Sequence, residues 1–406
     1  MRNTIRLALV FCAVLVIVAG ITIKLRRTSS ANTSQENRLV VHEWGTFTSI
    51  AGKEGVALEW RPLNGSSDLP KFVHTIQDGR GLRHGPTKAD FRTLVRMETP
   101  VIYFYTNREM EITAEVKFPK GRITEWYPQA RSIAAGINWG SLKLAPDAAF
   151  NLPADSSDNH YYAARETDAA PVQVCGTNGR PLEQEKFLFY RGVGSFDLPL
   201  SVKLTNDRLD LVNRSTEEIT RLIIFENKNG KIGYRVIDHF SGKTAIERPP
   251  LDKDLEAVIR DLRQVLVSSG LYDKEADAMI KTWRNSWFEE GMRLLYILPR
   301  GIVDSTLSLQ IDPQPAELVR VLVGRTEVIT PEMEKEVKRQ VSMLNDASPE
   351  VQEQARLAIQ KLGRFYEPIL KRIVEDEQDE TVRARIRRIL EVPQSRAGEG
   401  PINQWE

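Results

Sequence analysis

The segment Val41-His42-Glu43-Trp44-Gly45-Thr46-Phe47-Thr48-Ser49 holds the chain's densest group of polar and aromatic side chains. An imidazole can serve as a base or metal ligand near neutral pH, which makes His42 the first candidate for a reacting group. Neighbours in a strand point to opposite faces, so His42, Trp44 and Thr46 share one face while Glu43, Gly45 and Phe47 share the other. A partner for His42 must therefore come from elsewhere, with Glu98, Glu125, His74 and His84 as candidates. The competing reading is a histidine hydrogen-bonded beside a buried tryptophan.

Glu43-Trp44, Glu59-Trp60 and Glu125-Trp126 repeat one dipeptide. Aromatic platforms beside carboxylates suit sugars, and two carboxylates about 5–10 Å apart could cleave a glycosidic bond. Strand alternation argues against this, because each glutamate should face away from its own tryptophan. Arg96 and Glu98 share a face, either as a structural pair or as a seat for an anionic ligand. The candidate catalytic residues are thus His42, Glu98 and Glu125, and the candidate ligand-binding residues Trp44, Arg96, Trp126 and Arg191.

No Gly-x-Ser-x-Gly, His-Glu-x-x-His or phosphate-binding glycine loop occurs, and Gly192-Val193-Gly194 reads as a turn. The cysteines are Cys12 and Cys175, the first within an apolar run, so no intrachain disulfide is expected in the remainder. With five histidines besides, cysteine-rich metal sites are excluded, and no metal or cofactor is expected. The 56 basic and 55 acidic residues nearly cancel, so no global field draws nucleic acid. Lys371, Arg372, Arg383, Arg385, Arg387 and Arg388 alternate with acids around Glu375-Asp376-Glu377, the pattern of a solvated helical face.

Positioning these residues falls to a β-rich domain over 39–330. Runs such as 101–105, 112–118, 186–190, 200–204 and 222–225 are rich in Val, Ile, Phe and Tyr and bounded by Gly, Pro and Asn. Asn229-Gly230 between two such runs predicts a hairpin, because a type I′ turn needs positive φ at both positions. No βα alternation appears between 40 and 245, which predicts an antiparallel β-sandwich or partly closed barrel. A helical insert is expected near 252–292: Leu255, Val258, Ile259, Leu262, Val265 and Leu266 recur at helical spacing, and Trp283 and Trp287 lie one turn apart in a second helix. Strands are then expected at 294–298 and 306–311.

Residues 331–392 are helical in pattern and 393–406 a polar tail. Ser348-Pro349-Glu350-Val351, Ala355-Arg356-Leu357-Ala358, Leu362-Gly363 and Asp379-Glu380-Thr381-Val382-Arg383 resemble the HEAT-type helical repeat. The likeness spans about one repeat and the start of another, too little for a free-standing solenoid, so the segment should dock on the β domain or a partner. Val41 to Ser49, with Leu94 to Pro100, Ile123 to Pro128 and Phe189 to Gly194, resembles a family of uncharacterised bacterial proteins. That resemblance implies a bacterial source and no activity.

Leu7 to Ile23 is an unbroken apolar run flanked by Arg2, Arg6, Lys24, Arg26 and Arg27. Seventeen helical residues nearly cross a hydrocarbon core of about 30 Å, so 1–28 is expected to be a single-pass anchor, the alternative being a cleaved signal. A polar tether follows over 29–38, and the remainder is expected on the extracytoplasmic side of the inner membrane. The functional expectation is an anchored binding or scaffold protein, with a protein partner at the C-terminal helices or a glycan ligand. The alternative is an extracytoplasmic hydrolase centred on His42 with Glu98 or Glu125, with or without a metal ion at that site.

Overall fold

The computed structural model describes residues 38–63, 68–76, 91–148, 151–155, 159–176, 180–362 and 365–391. Strands dominate the first half: β1 (Val40–Ala51), β2 (His74–Thr75), β3 (Val95–Tyr105), β4 (Met110–Lys117), β5 (Gly121–Tyr127), β6 (Ser132–Ala134), β7 (Gly136–Leu144), β8 (Val172–Cys175) and β9 (Pro181–Glu185). A 3-10 helix, His160–Arg165, interrupts them. Next come β10 (Leu188–Gly194), β11 (Leu200–Thr205), β12 (Arg208–Asn213), β13 (Ile219–Lys228), β14 (Lys231–Phe240) and β15 (Lys243–Glu247). Helices α1 (Leu255–Ser268) and α2 (Asp273–Trp287) precede β16 (Gly291–Ile297), α3 (Arg300–Thr306), β17 (Ser308–Asp312) and β18 (Glu317–Val328). Four helices follow: α4 (Pro331–Met343), α5 (Pro349–Lys361), α6 (Tyr366–Asp376) and α7 (Glu380–Glu391).

The fold is mainly β with helices, built from several open sheets. Nine strands run in the order β14-β13-β16-β18-β1-β3-β10-β5-β2, beside a six-stranded and a three-stranded sheet. The smaller sheets cover one face of the large one through Val116, Ile137, Trp139, Val202 and Leu211, packed with Met97, Ile102 and Phe104. The other face carries α1 and α2, whose Val258, Leu262, Met279, Trp283 and Trp287 pack with Trp44, Val101, Tyr103 and Val321. Three layers result, a sandwich and not a barrel. The large sheet is also not wholly antiparallel: β1 lies parallel to β18, with Val40 opposite Glu317 and Ala51 opposite Val328. The long connection between these strands makes a parallel pairing available where a short hairpin would not.

Local chemistry explains several elements. The β13–β14 hairpin turns at Asn229 and Gly230 with φ of 52° and 77°, the left-handed conformations an Asn-Gly pair supplies. Helix α1 is capped by the Asp254 side chain, which accepts from the Glu256 amide, and α4 by Thr330, with Pro331 at its first position. The short α3 replaces the start of the strand expected from Thr306; only from Ser308 is that segment extended. Gly192-Val193-Gly194, expected as a turn, is the end of β10, squeezed between β3 and β5.

Helices α4–α7 form a further layer at the end of the sheet near Ala51. Val337, Val341, Ile369, Leu370, Ile373 and Ile386 enclose a core with Ile50, Trp60 and Ile329 of the β region. Trp60 stacks on Phe365 with ring centroids 6.4 Å apart. At the same seam Glu367, almost fully buried, accepts from Arg61 at 2.7 Å and Arg92 at 3.1 Å.

Among the described residues no helix is long and apolar enough to cross a membrane. This corrects the expected single-pass placement: the long helices present are amphipathic, α1 for instance carrying Glu256, Arg260, Asp261 and Arg263 between its apolar residues. The run Leu7 to Ile23, the tether 29–37, His84 and the tail 393–406 lie outside the described residues.

Candidate functional site

The helix-facing side of the large sheet is polar along one band. β1 supplies Thr46 and Thr48, β3 supplies Arg96 and Glu98, β10 supplies Arg191 and β5 supplies Glu125. The register sets this order: Thr46 faces Glu98, Thr48 faces Arg96, and Arg191 faces Glu125. A bulge opposite Gly45, where Thr99 adopts a φ of 46°, rotates β3 so that Val101 and Tyr103 rejoin the same face beyond it.

Helix α2 lies lengthwise over β1. Glu275 near its start reaches His42, and Ser286 near its end receives a hydrogen bond from Arg325, the β18 neighbour of Thr48. Eleven helical residues rise about 16 Å and six strand residues about 20 Å, so the two elements run together.

The first polar centre is at the β1 start. His42 Nδ1 meets Glu275 Oε2 at 2.8 Å with neither side chain exposed. Glu275 also accepts from the Tyr105 hydroxyl at 2.8 Å and the Tyr272 amide at 2.7 Å. Burial and the neighbouring Glu275 push the Tyr105 phenol well above its usual range, so it remains a donor. The His42 ring lies 4.3 Å from that of Tyr272, and its Nε2 is buried without a hydrogen-bond partner. Glu275 thus caps α2 and ties it to the sheet in one side chain.

The second centre lies in the polar band. Thr48 donates to Glu98 at 2.7 Å, and Arg96 Nε is 3.3 Å from the other Glu98 oxygen. Arg191, buried, donates to Thr99 Oγ1 from Nε at 3.2 Å and Nη2 at 3.1 Å, and from Nη1 to Asp68 at 2.6 Å. His160 Nε2 is 3.3 Å from Arg191 Nη2 and 3.8 Å from Asp68. Burial, reinforced by the Arg191 guanidinium, lowers the imidazole to about 4. His160 is therefore neutral at pH 7 and accepts from Arg191 through Nε2, which leaves the proton on Nδ1. Burial alone would raise the Asp68 carboxyl, but Arg191 and Arg96 outweigh it and hold the group well below the usual carboxylate range. Nearly half of the Asp68 side chain meets solvent, which screens the pull without reversing it.

Set against the sequence, Arg96, Glu98, Arg191 and Glu125 lie along one band, and Glu125 receives a hydrogen bond from Thr124. His42 is not brought to Glu98 or Glu125. Glu98 faces Thr46, four residues along β1, about 13 Å from the His42 rung. Trp44 is fully buried with its ring 6.2 Å from Tyr103, offering no surface to a ligand. Trp126 stacks with His74, which pairs with Glu183 at 2.8 Å. Glu43 faces away from Trp44 as alternation requires, yet it is buried against the smaller sheets, accepting from Arg320 and Tyr190 at 2.5 Å each. Among the described residues no group of three or more His, Cys, Asp or Glu is arranged to hold a metal ion.

Sequence reasoning missed Glu275, Asp68 and His160. A glutamate three residues after a helix start is a capping signal and would have marked Glu275. Asp68 and His160 sit outside any strand and carry no periodic signal.

No family model matches the chain, and no curated protein does. Among solved structures it is similar to the yeast delta-COP-I mu-homology domain, alone and complexed with a Dsl1 WxWxV peptide. Both matches have 7% identity and a TM-score of 0.29, covering 72% of this chain and 97% or 98% of the other. Likeness at this level assigns neither family nor activity.

Proposed function

We propose that this is a binding or scaffold protein whose partner is another protein, held on the outer faces of helices α4–α7. The observation that carries the reading is the seam at Glu367, where Arg61 and Arg92 of the β region clasp a carboxylate of α6. It makes the helices a fixed layer and not a loosely attached tail. Their outward surfaces carry the pairs Glu336–Arg339, Glu353–Arg356 and Glu380–Arg387, with Leu357 exposed among them. Paired helices held rigid at one face present the other at little entropic cost. The carboxylates of Glu98 and Glu275 are, by contrast, engaged with internal partners.

A photocross-linking residue at Leu357 is expected to capture one defined protein, and R339E/R356E/R387E to abolish capture. If that variant keeps the wild-type Tm and every co-purifying partner, the reading is wrong.

One observation favours a second reading, acid–base chemistry. His160 and Asp68 converge with Arg191 where solvent reaches both side chains. A hydroxyl or water that displaces Arg191 from Nε2, the ring nitrogen without hydrogen, would give its proton to that atom. Chromogenic glycosides, esters and phosphoesters test it, with turnover expected to vanish in His160→Asn. Absence of turnover by the wild type across all three classes removes it.

A further inference from the structure

We infer that the end of the large sheet beyond His42 carries a binding site for a small zwitterion of the amino-acid class, independent of the helical layer. A cleft of about 420 Å³ opens there, bordered by Arg38, Val40, Tyr105, Asn107, Asp168 and Glu317. Its size falls within the range of small-molecule sites, about 300–1,000 Å³. The strand register builds its floor: Val40 of β1 lies opposite Glu317 of β18 and Tyr105 of β3, three adjacent strands. His42 is the next residue on the same face, one rung deeper, and the Tyr272 ring that packs on it is 45% exposed.

The charges identify the ligand. Among the described residues Arg38 gives one nitrogen to the Ala316 carbonyl at 3.3 Å and makes no ion pair, and its side chain borders the cleft. Glu317, the next residue after Ala316, makes no ion pair among the described residues, although it borders the same cleft as Arg38. Opposite charges that border one cleft without pairing with each other suit a ligand carrying both signs, its carboxylate on the guanidinium and its ammonium on the glutamate. Asp168 is already held by Lys274, so the cleft's remaining charge is balanced. Asn107 can serve either end of such a ligand, and Tyr105 offers ring surface to its side chain.

The test is thermal shift of the full chain against the proteinogenic L-amino acids, followed by calorimetry. At least one is expected to bind with a Kd below about 5 mM, corresponding to roughly 3 kcal/mol. R38Q and E317Q, both at exposed positions, should each weaken it at least about tenfold, as should amidation and N-acetylation of the ligand respectively. E54Q, at a distant exposed carboxylate, should bind as the wild type does. The proposal is overturned if no amino acid binds below that limit, if either variant binds normally at wild-type Tm, or if blocking only one end of the ligand matters.

Discussion

Glu275 of α2 and His42 of β1 meet at 2.8 Å in complete burial, and the same carboxylate accepts from Tyr105 and from the Tyr272 amide. Removing the acceptor in Glu275→Ala leaves three donors without this partner, the His42 imidazole among them in complete burial. A loss of about 3–5 kcal/mol is expected in urea denaturation, against about 1–3 kcal/mol for His42→Gln, which keeps a polar group there.

The imidazole of His160 should titrate near 4, as measured by side-chain NMR. Asp68→Asn removes an attraction to the protonated ring and should lower the midpoint further, whereas Arg191→Gln removes a repulsion and should raise it. Because the unfolded ring titrates near 6.5, the unfolded chain binds more protons between the two values. The stabilisation from this residue is complete above about pH 6.5 and is lost as pH falls toward about 4. His160→Asn should flatten the stability curve in that interval.

Glu367 is expected to govern the attachment of the helical layer. Burial opposes its ionisation, but hydrogen bonds from Arg61 and Lys371 outweigh this and keep its folded pKa below the usual value. The contribution is therefore present above the unfolded carboxyl pKa of about 4.3 and disappears as pH falls through the lower folded value. Glu367→Ala should cost about 3 kcal/mol. Hydrogen exchange should accelerate first over 331–391, before the large sheet.

Gly192→Ala tests the close approach of β10 to β5. A methyl group at this position would lie 2.4 Å from the Arg122 carbonyl oxygen, a backbone atom unable to move away alone. Overpacking of this kind should cost about 3 kcal/mol and lower Tm by several degrees.

Much of the β architecture was legible where short-range rules apply. Asn229-Gly230 marked its hairpin because only a primed turn matches the twist of adjoining strands. Arg96 and Glu98 were read onto one face because alternation is a local property of extended chain. What alternation could not supply was the identity of the neighbour. The partner of His42 comes from a helix 233 residues away, and that of Arg191 is Asp68, 123 residues away and outside any strand. Gly192-Val193-Gly194 misled because glycine marks both a turn and a tightly packed strand, and only the contact with Arg122 tells them apart.

The parallel pairing of β1 with β18 has a consequence for how the chain is made. Arg320, which neutralises Glu43 of β1, is 277 residues further on. As the polypeptide leaves the ribosome, β1 and β3 are available early, yet the other edge of β1 stays open and Glu43 stays unmatched until β18 emerges. Such distant pairings are slow to form and leave partly made sheets prone to associate with other chains. A nascent chain halted before Glu317 would therefore carry an exposed edge and an unbalanced charge in what becomes the molecule's interior. Quality control of this protein should act on unfinished chains more than on finished ones.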